Sequence, residues 1–170
     1  MPTAQAAIRR YHQQGAALAT VILNQTFDRS AYWGPSGRKA AASWANSIRD
    51  SFDAYVELAS ADMRAAVMTP MKRDVAIGHH ALGVAPDVVL LDLGGYVARL
   101  VLWDKPLTTQ DEAELLAAPI VCALDDELGE GRTIGVEVWH LRSREQFYVP
   151  APDALARMDE VSAVLNAYIG

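Results

Sequence analysis

The residues able to do chemistry are few and scattered. Four histidines and one cysteine are present. His79 and His80 are adjacent, and neighbouring side chains diverge by about 100° on a helix and about 180° on a strand, so the pair is badly placed to share a metal ion. His140 falls in the register Val136, Val138, His140 and reads as a strand-end residue. A Cys122–His140 nucleophile across a hairpin in the 120s and 130s is the catalytic alternative. Cys122 stands alone in an apolar run, which excludes an internal disulfide and a cysteine-based zinc cluster and predicts an inert thiol. Asp125, Asp126 and Glu127 lead into Gly129-Glu130-Gly131 and read as a solvated acidic hairpin end, whereas paired catalytic carboxylates converge from separate elements. Gly34-Pro35-Ser36-Gly37-Arg38-Lys39 invites comparison with a phosphate loop, but the spacing differs and a helix precedes it where a P-loop follows a buried strand. Ser36 or a neighbour is expected to cap a helix there, with Ser36, Arg38 and Lys39 as candidate anion-binding residues. No catalytic residue, metal site or cofactor is assigned on these grounds.

The elements that must position these residues centre on Val88 to Trp103, two apolar runs joined by Gly94-Gly95. Paired glycines between β-rich runs predict a hairpin, because a two-residue turn needs positive φ. One face would carry Val89, Leu91, Leu93, Tyr96, Ala98, Leu100 and Leu102 and be core. The other would carry Val88, Leu90, Asp92, Val97, Arg99, Val101 and Trp103 and be partly covered, with Asp92 and Arg99 as diagonal neighbours.

Helical spacing predicts a helix over Thr3 to Phe27 and a long one from Arg38 to about Met68, striped by Trp44, Ile48, Phe52, Tyr55, Ala59, Met63 and Ala66. Between them, Tyr32 and Trp33 sit in a turn-rich loop. A further short helix is expected over Pro70 to Leu82. Thr109 to Glu112 has the form of a capping box opening a helix to about Ala118. Beyond Pro119, Ile120 to Leu124 fits a buried strand or a second helix; the strand is preferred, because Gly129-Glu130-Gly131 would turn it back into Thr133 to Leu141. Arg142 to Glu145 turns into Gln146 to Val149, and a helix begins near Pro152-Asp153. The fold class is α+β, an antiparallel sheet packed with helices, in one domain with a helical region over 1–83 and a sheet region over 84–170. The hairpin at Val88 to Trp103 and the strand, hairpin and helix from Thr133 to Ile169 resemble, in topology, the profilin-like sheet of roadblock and GAF-type domains. Other small α+β folds, including secretion-chaperone types, share that order.

Charge is uneven, +3 through Val75 and −9 after it. The acidic half argues against nucleic-acid binding, which needs a basic face. Its carboxylates read as a solvated helix face, with a patch for a basic partner as the alternative. No apolar run approaches the roughly 20 residues of a membrane span, and the N-terminus lacks a signal-peptide core, so a cytoplasmic location is expected. These features predict a non-catalytic protein-binding protein of adaptor, chaperone, inhibitor or immunity type. A small-molecule-sensing regulatory domain and an enzyme with an unfamiliar site are the alternatives. Tyr32, Trp33 and Trp44 are the candidate partner-binding residues, for a protein partner or self-association through the N-terminal half, because the two N-terminal helices bring more apolar stripe than the sheet requires.

Overall fold

Alanine-rich sequence with an apolar stripe makes most of the described residues up to Ser60 helical. A computed structural model describes residues 2–29, 35–68, 72–103 and 109–169, and the chain divides into two units, Met1–Met63 and Arg64–Gly170. In the first unit, α1 (Pro2–Gln14) and α2 (Ala16–Arg29) replace the single helix expected there. They part at Gly15, whose φ of 85° only glycine adopts freely and whose N–H closes α1 on the Tyr11 carbonyl at 2.8 Å. The third helix, α3 (Pro35–Ser60), buries Ile48, Phe52, Tyr55 and Ala59 as its stripe predicts. His12 and Tyr55 join α1 to α3 by a 2.6 Å hydrogen bond. Arg49 links α3 to α2, donating to Asn24 at 3.2 Å with its guanidinium 4.6 Å from the Phe27 ring centre. The helix stops eight residues before Met68. Ser60 Oγ donates back to the Glu57 carbonyl at 2.7 Å, a competing bond typical of a helix end. Met63 is fully exposed and Ala66 lies in a strand.

The second unit holds a five-stranded sheet made of β1 (Ala65–Met68), β4 (Val88–Asp92), β5 (Gly95–Leu102), β6 (Thr133–His140) and β7 (Glu145–Pro150), in that spatial order. A separate antiparallel pair, β2 (Arg73–Ile77) and β3 (His80–Val84), stands where a short helix was expected. Alternation explains it: Val75 and Ile77 are buried with the exposed Ala76 between them, and Gly78, at φ 60°, begins a two-residue turn with His79.

The β4–β5 hairpin forms with its turn at Leu93-Gly94, since Asp92 pairs with Gly95 and Leu91 with Tyr96. This register differs by two from a turn at Gly94-Gly95, and a shift of two keeps every side chain on its face. The burial of those faces differs from expectation in two ways. Val89 and Ala98 are core, but Leu91 and Leu93 at the hairpin tip are exposed. The opposite face is buried more deeply than expected at its centre, where Val88, Leu90, Val97, Arg99 and Val101 are all at most 4% exposed, while Asp92 and Trp103 at its ends are half-buried.

The larger correction concerns residues 119–128. Helix α4 (Gln110–Leu128) runs straight through Pro119, capped by Thr109, whose hydroxyl accepts the Glu112 N–H at 3.2 Å. Its buried residues include Ala113 and nearly all of 117–124, because it contacts β6 and β7 as well as β2 and β3, while Asp111, Glu112 and Leu116 stay exposed. A stretch covered on nearly every side has no polar face to betray its period, so 117–124 reads as a continuous apolar run. Asp125 then closes the turn, accepting from the Gly131 and Thr133 N–H groups at 3.1 and 3.0 Å. Because a helix and not a strand precedes β6, β6 pairs parallel to β5, which makes the sheet mixed where an antiparallel one was expected. The chain ends in α5 (Ala151–Leu155) and α6 (Met158–Ile169), two helices in place of one.

The hairpin glycines give the first test. An added Cβ at Gly95 would strike the Arg132 carbonyl oxygen and come within 2.7 Å of Ile134 Cγ2. Gly94 has open space but a φ of 100°. We expect Gly95→Ala to cost about 1–3 kcal/mol through overpacking and Gly94→Ala on the order of 1 kcal/mol through backbone strain. Urea unfolding midpoints would show this order.

Candidate functional site

Helices α4 and α6 meet with an apolar surplus. Leu115, Leu116 and Pro119 from α4 and Val161, Val164 and Leu165 from α6 line a groove with Leu82 of β3, of about 200 Å³. Every lining side chain is hydrocarbon. Leu116 and Val164 stay 38% and 44% exposed, and Tyr168, one turn beyond Val164, is 87% exposed. Pro119 has no N–H to offer the Leu115 carbonyl, so a backbone bond of α4 is missing within the groove's own lining.

Carboxylates flank this apolar strip. Asp111 and Glu112 lie in the first turn of α4, one turn before Leu115 and Leu116; Asp159 and Glu160 lie in the first turn of α6, with Glu160 one turn before Val164. Arg157 reaches Asp111, Glu114 and Glu160 at 3.4, 3.0 and 2.6 Å. Its pKa is raised, first by the hydrogen bond to Glu160. These five carboxylates and one guanidinium leave a net −4, of which the positive ends of the two helices offset about half a charge each.

A second polar group occupies the other face of the sheet. Arg99 is fully buried, its guanidinium 3.6 Å from the Trp139 ring centre and donating to Glu137 Oε2 at 2.9 and 2.7 Å. Arg64 bonds the other oxygen of Glu137 at 2.5 Å and Asp92 at 3.1 Å. Asp92 thus pairs with Arg64 and Arg99 with Glu137, not with each other as expected. Tyr148 lies over Gly135, where an added Cβ would come within 2.5 Å of its hydroxyl, and donates to the Ile134 carbonyl at 3.2 Å. Burial, then Asp92 and Glu137, push its pKa up. The charges in this network answer one another, which suits a structural clasp.

Within the second unit, His80, His140 and Cys122 each have a different partner. Tyr32 and Trp33 lie outside the described residues. Trp44 is 37% exposed, its ring edge-to-face with Phe27. Ser36, Arg38 and Lys39 fall in the first turns of α3, where only the backbone is described. His79 lies in the β2–β3 turn, and His80 bonds Asn166 of α6 at 2.9 Å. His140 is buried; its Nδ1 accepts the Ser143 N–H at 3.2 Å and lies 2.6 Å from Ser143 Oγ, which donates to Glu145 at 2.6 Å. This trio ties the β6–β7 turn, where Arg144 takes a φ of 60°. Cys122, half-buried on α4, points to Met158 at 3.7 Å, so the two members of the imagined Cys–His pair have different partners. Among the described residues no group of three or more His, Cys, Asp or Glu is placed to hold a metal ion.

The groove is hard to find in the sequence because Leu155, Met158, Val161, Leu165 and Tyr168 recur at the spacing of a single helical stripe. The available signal was excess: α6 carries Val164 beside that stripe, and α4 carries Leu116 beside Leu115. No protein-family model matches the chain, and no curated protein matches it.

Two predictions follow from this chemistry. Removing the Glu137 carboxylate takes away the acceptor of two hydrogen bonds from the buried Arg99, so Glu137→Ala should cost about 3–5 kcal/mol, while Arg99→Met with Glu137→Leu should recover most of it; chemical denaturation of both variants checks this. The Cys122 thiol is pushed up by burial first, then by Asp126 and Asp125. It should therefore react with a thiol reagent at pH 8 more slowly than a free cysteine, and Asp126→Asn should quicken the reaction.

Proposed function

We propose that this is a non-catalytic protein-binding protein that docks its partner in the α4–α6 groove. The observation that carries this is the groove's character: seven apolar side chains, two of them well exposed, in a volume of about 200 Å³. Pockets that enclose small molecules run roughly 300–1,000 Å³ and bring a few polar groups to converge on the ligand. This groove is smaller and presents hydrocarbon only, which suits the insertion of two or three side chains from a larger surface. Exposed apolar surface rimmed by charge is the usual mark of a protein–protein contact. A sensor or an enzyme would call for polar groups aimed into the cavity, and the lining offers none. An adaptor or an inhibitor would use such a surface in the same way. No helix among the described residues is long and apolar enough to cross a membrane.

Trp44 on α3 is the competing anchor. The test sets the two surfaces against each other: Leu116→Asp and Val164→Asp in the groove, Trp44→Ala on α3, each checked for native circular dichroism. Cross-linking followed by mass spectrometry in cells would map the contact. We expect the groove variants to lose at least tenfold in cross-linked partner, and Trp44→Ala to keep it. The opposite pattern would place the interface on the helical unit and end the groove reading.

A further inference from the structure

We infer that the occupant of the groove is an amphipathic helix with a basic flank; this rests on the groove being a docking surface.

Shape speaks for a helix. The groove lies where two helices meet, and the side chains lining it recur one turn apart, Leu115 to Pro119 on α4 and Val161 to Leu165 on α6. Such ridges accept the ridges of a third helix, with anchors at i, i+3 or i+4, and i+7. Four residues of α4 span about 6 Å along its axis, enough for two anchors one turn apart and too little for a long extended strand.

Charge selects the helix. The flank carries Asp111, Glu112, Glu114, Asp159 and Glu160 against Arg157. Residues 64–170 as a whole hold nine Lys and Arg against sixteen Asp and Glu, a net −7. A second copy of this chain seated on the same face would set the same carboxylates against themselves, since a two-fold interface joins identical patches. A nucleic acid or an anionic lipid surface would be repelled for the same reason. A helix with lysine or arginine beside its apolar stripe is attracted, gaining in association rate and in choice of partner more than in final affinity.

The test uses the full chain and three labelled synthetic peptides of equal length, followed by fluorescence anisotropy at low and at physiological salt. One carries leucines at i, i+4 and i+7 with lysines flanking them; the second has glutamates in place of the lysines; the third is a scramble of the first without the stripe. We expect the lysine peptide to bind at least tenfold more tightly than the glutamate peptide, the advantage to shrink as salt rises, and the scramble to bind least. Glu112→Gln with Glu160→Gln should cut the lysine peptide's advantage severalfold and leave the fold intact, glutamine preserving the hydrogen-bonding capacity at both sites. Equal binding of the lysine and glutamate peptides would overturn the basic occupant while leaving the groove as a docking surface. Equal binding of the scramble would also overturn it, showing a general attraction to charge. If no peptide binds, or if Leu116→Asp leaves binding unchanged, the groove itself falls.

Discussion

A guanidinium cannot shed its proton inside a protein, so a buried arginine must be answered where it lies. Arg99 is fully buried in β5, and the answer comes from the neighbouring strand: Glu137, its direct partner in the β5–β6 register, with the Trp139 ring lying over the guanidinium. Slipping β6 by one residue would turn Glu137 to the opposite face, and slipping it by two would set Gly135 or Trp139 against the charge. Either takes the carboxylate away from a buried cation. The pairing of the two central strands is thereby fixed, and Arg64 and Asp92, which complete the network, tie β1 and the β4–β5 hairpin to the same point.

Behind the sheet, α4 organises the rest of the second unit. It touches the sheet through β6 and β7, the small β2–β3 hairpin on another side, and α5 and α6. Small residues make this multiple contact feasible: Ala113, Ala117, Ala118 and Ala123 let neighbouring elements approach closely. Where the neighbours end, larger side chains remain, and Leu115, Leu116 and Pro119 become one wall of the groove.

Much of this was legible before any coordinates. The apolar stripe of α3, the capping box at Thr109, the β4–β5 hairpin and the strands on either side of Arg142 all declare themselves by period or by turn chemistry. What misled was burial on more than one side. The run after Pro119 has no helical signature because almost every residue from Ala117 to Leu124 is covered, and reading it as a strand also implies an antiparallel β6 where β6 runs parallel to β5. Arg99 misled in the opposite sense: a charge in a strand reads as solvent, and only the register with Glu137 explains its burial. The candidate site was legible least, since a groove depends on which of several apolar residues the fold leaves uncovered, and neither Leu116 nor Val164 differs in type from its buried neighbours.

The parallel pairing of β5 and β6 also bears on how the chain reaches this structure. The β2–β3, β4–β5 and β6–β7 hairpins join residues close in sequence and can close early, on the microsecond scale typical of hairpins. The central pairing must wait until the thirty residues between Leu102 and Thr133 have been made and folded back, a closure whose entropy is lost before its contacts form. Until β6 arrives, the β5 edge that it covers is open, and a charged side chain on an open edge strand disfavours pairing with other chains.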